Sequence, residues 1–316
     1  MGEDKVAALL QESLSVAVRL GAARPSDFTR VIADTTVAEK NVAWPTDAKL
    51  INKARVRLVS MAGVQGLKLC QSYKRVGKKA LIQHQRYAHA KQFKRAGRQL
   101  KRLKTWLGRT IRDVAPDRRQ LHAQRRIPGR TVKSRRVRTQ RPRDDIKKKI
   151  YSLYAPEVEC IGKGKAHKPY EFGVRVSIAT TQNRCKGDEL AVHARTLPAK
   201  PYDGHTLKDI LPDIERFTGA ALERILADAG FKGHNACLRH RFKVFTTVQK
   251  CRVTPAIKRQ MKRRAAVEPV IGHLKSGHRM NRNYLPHAQG DAVNPILAAT
   301  GYNFRLILKC IRLLFL

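Results

Sequence analysis

A single short run constrains this fold more than any other feature. Residues 30–37 read Arg-Val-Ile-Ala-Asp-Thr-Thr-Val, β-branched and preceded by Pro-Ser-Asp, which marks a strand. The next comparable run begins at Glu171. A lone strand leaves its backbone N–H and C=O groups unpaired and is not stable. Residues 30–37 must therefore pair with strands from the far half of the chain, and what lies between is an insertion into one sheet. Later strands are expected at 171–179, where apolar and polar residues alternate, and at 190–197, 224–228 and 242–248. Helices are expected at 4–22, 206–217, 254–275 and 294–314. The class is α/β, with both chain halves contributing to the sheet. The organisation reads as a helical segment at 1–28, the first strand at 29–46, a basic helical insertion with a DNA-binding loop at 47–150, and the rest of the core at 151–316.

The charge makes the insertion more than a linker. The chain of 316 residues carries 66 Lys and Arg against 24 Asp and Glu, a formal charge of +42. Such an excess opposes compaction through self-repulsion and points to a polyanionic partner. Its hydrophobic fraction is 42%, near the ~45–50% of globular domains, so a core is available and a disordered basic tail is excluded. Residues 91–150 hold 23 Lys and Arg and four Asp, nearly half of the net charge. Within them Phe93, Leu100, Leu103, Leu107 and Ile111 recur at helical steps. Residues 118–143 lack apolar periodicity and read as a loop that orders on binding. Arg135, Arg136 and Arg138 are candidate phosphate contacts.

Several classes drop out. The six cysteines include no Cys-x2-Cys pair, which excludes a zinc ribbon or thioredoxin-like motif. The first residues are amphipathic and acidic, unlike a secretion signal. The apolar stretch at 292–316 is interrupted by Arg305, Lys309 and Arg312, so no membrane partner is expected. That last helix packs on the sheet or forms an oligomer contact. The pairs His84/His89 and His273/His278 are spaced i,i+5, which does not place two rings on one helical face.

In so basic a chain the acids are informative. Asp34 ends Val-Ile-Ala and Asp228 ends Ile-Leu-Ala. Each either caps a turn or marks the carboxyl end of a strand, where α/β ligand sites form. Two carboxylates held together need a cation between them, and hard oxygen donors favour Mg²⁺ or Mn²⁺. Glu268 is a third candidate. Arg264 and Lys275 stand four residues before and seven after it, on one face of a helix; an exposed i,i+4 pair between Arg264 and Glu268 is the plainer alternative. Asp47 caps a helix or substitutes for Asp34, and Trp44 is a hydrophobic anchor or a base-stacking residue.

These blocks, Asp34-Thr35-Thr36-Val37, Asp228-Ala229-Gly230-Phe231 and Arg264-x3-Glu268-x6-Lys275, resemble the catalytic blocks of DDE transposases from bacterial insertion sequences. Accompanying segments are similar: Pro45-Thr46-Asp47-Ala48-Lys49-Leu50, Arg86-Tyr87-Ala88-His89-Ala90-Lys91, Tyr170-Glu171-Phe172-Gly173, Tyr202-Asp203-Gly204-His205-Thr206-Leu207, Gly272-His273-Leu274-Lys275 and Gly290-Asp291. The likeness spans roughly 5–315. It implies a ribonuclease-H-like mixed sheet flanked by helices, with the first Asp on the first strand, the second after the fourth, and Glu on a following helix.

The resemblance also implies two Mg²⁺ or Mn²⁺ ions held by Asp34, Asp228 and Glu268. They would support hydrolysis of the donor strand and then attack of the freed 3′-hydroxyl on target DNA. Arg264 and Lys275 would hold phosphates, with Asp203 and His205 supporting the acids. Double-stranded DNA is the implied partner, the active form a homo-oligomer, and the setting the cytoplasmic nucleoid. Two departures stand out: Met261 occupies a position often held by Tyr, and only 33 residues precede Asp34 where such enzymes usually carry a longer helical DNA-binding region. The second implies a shortened copy whose core folds and whose end recognition is impaired. The competing functions are a non-catalytic DNA- or RNA-binding protein, which does not require three carboxylates, and a metal-dependent nuclease of the same fold.

Overall fold

In the computed structural model, described for residues 2–115, 128–140, 149–162, 166–186, 188–247 and 249–314, the chain forms two compact units. One comprises residues 1–41 and 159–316, the other 42–158.

The first unit is built on one mixed sheet. Strand β1 (Arg30–Glu39) pairs antiparallel with β3 (Tyr170–Thr181) along its length and parallel with β5 (Arg224–Ala227). β6 (Val244–Thr246) extends the parallel side. β2 (Glu159–Gly162) and β4 (Ala191–Leu197) both pair antiparallel with β3, β2 near its start and β4 further along. The early strand is thus internal, paired with β3 along its length and on its other side with β5 over Arg30–Ala33.

Helices cover both faces. On one, α1 (Glu3–Arg19), α6 (Leu207–Thr218) and α10 (His287–Leu314) bury Leu10, Leu14, Ile210, Ile214 and Ile307 against Val31, Ala33, Ala179 and Ile225. Asn303 ties three of these elements together. Its amide donates to the Ala191 carbonyl at 2.8 Å and to Ser13 Oγ at 3.0 Å, and its oxygen accepts from Ala191 N at 2.9 Å. The last helix therefore packs on the sheet. On the other face, Ile32, Leu226 and Phe245 pack with Ile257 of α8 (Pro255–Met261) and Val267 of α9 (Val267–Ser276). Where one helix was expected over 254–275, the chain makes α8, a 3-10 turn (Lys262–Ala266) and α9. No helix of the described residues is long and apolar enough to cross a membrane.

The second unit is helical. The expected helical tract is broken into α2 (Asp47–Val64), α3 (Lys74–His89) and α4 (Phe93–Val114). Ile51, Ala54, Leu58, Ala80, Leu103, Leu107 and Ile111 form its core. The expectation of a loop over 118–143 is corrected in part: Pro128–Thr139 forms α5, while 116–127 and 141–148 lie outside the described residues. The buried face beyond Thr131 consists of Ser134, Val137 and, just after the helix, Gln140. These fall at three-residue steps, but two of the three are polar, so no apolar period reveals the helix. Gln140 is held by Ile150, donating to its carbonyl at 3.2 Å and accepting from its N–H at 3.1 Å.

Gly173 marks the tightest part of the sheet. A Cβ there would stand 2.0 Å from the Ala38 carbonyl oxygen, so a side chain forces β1 and β3 apart. Gly173→Ala is expected to destabilise the protein by about 1–3 kcal/mol, read as a lowered denaturation midpoint; an unchanged midpoint contradicts this register.

Candidate functional site

The period of two in β1 decides where Asp34 points. Val31 and Ala33 belong to the core under α1, α6 and α10, and Ile32 belongs to the core under α8 and α9. Asp34 shares the face of Ile32, the side on which Val267 packs. Asp228 follows Ala227 at the end of β5 and shares the side of Leu226 by the same alternation. Glu268 lies in the first turn of α9, where a carboxylate is favoured by the helix dipole. Three acids from distant parts of the sequence thereby face one region.

Arg264 stands among them. Its Nη2 lies 3.0 Å from Asp34 Oδ2 and 3.5 Å from Asp228 Oδ2, and its Nη1 lies 3.5 Å from Glu268 Oε1. The arginine side chain is only 14% exposed, Glu268 64%. Arg264 Nε is buried with no hydrogen-bond partner among the described residues. One guanidinium facing three carboxylates leaves the group two positive charges short of balance. The Asp34 carboxyl shows the strain: burial pushes its pKa above the ordinary carboxylate value, Arg264 and the Thr35 N–H pull it down, and Asp228 and Glu268 push it up. Among the described residues no three His, Cys, Asp or Glu side chains form a ready-made metal cage. The acids surround the guanidinium instead. Their hard oxygen donors suit Mg²⁺ or Mn²⁺, and an ion among all three requires Arg264 to withdraw.

Neighbouring groups fix the acids. The Thr35 backbone N–H donates to Asp34 Oδ1 at 2.7 Å, and Thr35 Oγ1 donates to Asp203 Oδ1 at 3.0 Å. Arg175 on β3 donates to the same Asp203 oxygen at 2.8 Å. Thr247 Oγ1 donates to Asp228 Oδ1 at 3.3 Å. Asp203 is thus one residue removed from the site. His205 has no contact with the acids; its ring meets Tyr202 edge-on and its carbonyl accepts from Asn235. Lys275 Nζ lies 3.9 Å from Glu171 Oε2 on β3, so it approaches Glu171 and not Glu268. Thr35 and Glu171 fall within segments that carry the resemblance, but the contacts of Thr35 with Asp203, of Arg175 with Asp203 and of Glu171 with Lys275 join distant parts of the chain, which no local pattern reveals. Asp228 follows the fifth strand in chain order and not the fourth, because four-residue β2 has too little alternation to be read.

The other candidates lie elsewhere. Arg135, Arg136 and Arg138 are exposed on α5, and the Arg138 guanidinium lies over Gly108 of α4, 2.8 Å from where a Cβ would stand. Asp47, the first residue of α2, lies 3.5 Å from Lys149 Nζ. Trp44 is 50% exposed. The i,i+5 spacing did not keep His273 and His278 apart: both rings lie against Tyr302, at 6.2 and 6.0 Å, because α9 ends at Ser276 between them. Gly290-Asp291 belongs to a buried structural pair, with Asp291 Oδ1 accepting from Lys40 Nζ and Asn283 Nδ2, each at 2.7 Å.

A segment of 93 residues is 44% identical to a protein described as "Uncharacterized protein ORF8 in nfe locus" from Rhizobium meliloti. The match covers 29% of this chain and 45% of that protein, so the chain spans less than half the length of the curated relative it matches. No family model and no solved structure matches the chain.

The raised Asp34 pKa sets the sign of a pH effect. The folded state holds this proton more tightly than the unfolded chain, so the contribution to stability is greatest below the unfolded value, about 3.9, and is lost as pH rises through the folded value. Asp34→Asn is expected to remove that loss and gain stability relative to the parent as pH rises from 4 to neutrality. Parallel pH–stability curves for the two proteins contradict it.

Proposed function

We propose that this chain is a DNA transposase of the DDE type, acting by metal-dependent cleavage and strand transfer, with Asp34, Asp228 and Glu268 as its metal ligands. The observation that carries the reading is the convergence of these three carboxylates, from β1, the end of β5 and the start of α9, on one buried guanidinium. A protein that only binds nucleic acid has no use for that arrangement, which costs desolvation and repulsion. The strand order supports a ribonuclease-H-like core: antiparallel β4, β3 and β1 lead into parallel β1, β5 and β6, with two of the acids at adjacent strands.

Divalent ions bound to these carboxylates would activate a water or 3′-hydroxyl and stabilise the departing oxygen of an in-line displacement. The chain's own groups prepare that event. Asp34 is oriented by the Thr35 N–H, and Thr35 is anchored by Asp203 and Arg175. Thr247 orients Asp228. Arg264 offsets part of the acids' charge in the absence of a cation, and in its presence is free to turn to a DNA phosphate. Lys275, near Glu171 on the same helix as Glu268, is the second phosphate contact. The +42 charge supplies the long-range attraction for duplex DNA, and the active form is a homo-oligomer acting at the nucleoid.

Two measurements test this. Purified protein with Mn²⁺ and DNA bearing the element's inverted ends is expected to cleave and join, and Asp228→Ala to lose both; joining that persists in the mutant overturns the assignment. Cleavage without joining, abolished by the same change, identifies a nuclease. Independently of activity, Mn²⁺ is expected to stabilise the parent by about 2.7 kcal/mol at a hundredfold excess over its dissociation constant, and to leave the denaturation midpoint of Asp34→Asn nearly unmoved. Equal shifts in both proteins place the ion elsewhere.

A further inference from the structure

We propose that the α3–α4 hairpin is a docking surface for duplex DNA, with Phe93 at its tip as an aromatic wedge that enters between base pairs. This deepens the DNA-binding part of the proposed function and rests on that part, not on the cleavage chemistry.

The charge pattern comes first. Residues 74–114 contain fourteen Lys and Arg and a single acid, Asp113. None of the fourteen is ion-paired with a carboxylate among the described residues; Arg95 reaches Gln92 Oε1 and the face of the Tyr87 ring, and Arg109 the Tyr73 hydroxyl. Like charges sit at i,i+4 in Lys74/Lys78, Arg75/Lys79, Lys94/Arg98 and Arg98/Arg102, each pair opposing the helix that carries it. A stable hairpin with this pattern is explained by a partner that supplies the missing negative charge.

The geometry suits a duplex. Ala80 of α3 and Ala96, Leu103, Leu107 and Ile111 of α4 face the core of the unit, which leaves the basic face of α4 outward. At 22 residues, α4 is about 33 Å long, close to the ~34 Å of one DNA turn, so its cations can follow phosphates across a groove.

The tip supplies the second observation. Lys91 turns the chain with a positive φ of 56°, and Phe93 close after it is 70% exposed, whereas Phe28 and Phe231 are each 1% exposed. Phe93 is flanked by Lys91, Lys94 and Arg95. A ring left 70% exposed buries little surface on folding, and apolar side chains inserted between base steps from a basic surface unstack and kink DNA. Charge complementarity selects DNA as the occupant over an acidic protein, because the basic row is long and continuous and the ring matches a base step.

The test uses the full-length chain without divalent metal, so cleavage is absent and its failure cannot be confused with failure of the catalytic reading. The probe is a duplex carrying 2-aminopurine at a TA step. The parent protein is expected to raise the probe's fluorescence on binding. Phe93→Ala is expected to abolish that rise and weaken binding about tenfold, within the range for removing one aromatic ring that stacks on a base, with the salt slope unchanged; Phe93→Trp is expected to restore both. Lys94→Gln, Arg98→Gln and Arg102→Gln together are expected to flatten the salt slope by about 0.9 for each phosphate no longer neutralised. These residues are exposed, and unchanged circular dichroism verifies folding. A full fluorescence rise with Phe93→Ala eliminates the wedge. An unchanged salt slope in the triple variant overturns the docking surface and leaves an acidic protein as the hairpin's partner.

Discussion

The first unit hangs on the pairing of β1. A strand from the first forty residues is gripped by β3 along its length and by β5 over Arg30–Ala33, so its backbone pairs with segments more than a hundred residues downstream. The strict alternation of its side chains then divides the unit into two cores. Val31 and Ala33 anchor the face under α1, α6 and α10, and Ile32 anchors the face under α8 and α9. Asp34 has no freedom in this arrangement: one residue of slippage in register would carry it to the opposite face, away from Arg264 and Glu268. Gly173, pressed against the Ala38 carbonyl, is one of the residues that holds the register.

Electrostatics then separates the chain into two kinds of region. In the first unit scarce acids are gathered around a guanidinium, and burial makes Asp34 hold its proton more tightly than usual. Other acids there serve structure, as in the buried Lys40–Asp291–Asn283 group. In the second unit the balance is reversed, and the α3–α4 hairpin carries cations that no described carboxylate offsets.

Much of this was legible in the residues. The strands at 30–37, 171–179, 190–197, 224–228 and 242–248 were readable because each alternates or is β-branched and is bounded by turn residues, and the structure has a strand at each. Three features were not. Helix α5 buries Ser134 beside Val137, with polar Gln140 buried just after it, so the pattern that marks a helix by its apolar face is absent. Strand β2 is too short to show a period. Lys275 faces Glu171, which no spacing along a helix can reveal, because Glu171 belongs to a strand a hundred residues earlier.

The sequence by itself determined that residues 30–37 had to join a later sheet, that the tract after them is helical and basic, and that Asp34 lies on a strand and Asp228 closes one. Those conclusions follow from local forces: backbone pairing, side-chain period and charge count. Asp34 does not end its strand as expected, because β1 runs on to Glu39 along β3. Only the tertiary structure decided that the three acids meet at Arg264, that Asp203 reaches the site through Thr35 while His205 does not, and that Phe93 stands in solvent while Phe28 and Phe231 are buried. Each of these depends on which face of one element meets which face of another. That choice is made by packing the whole unit at once, and no window of sequence contains it.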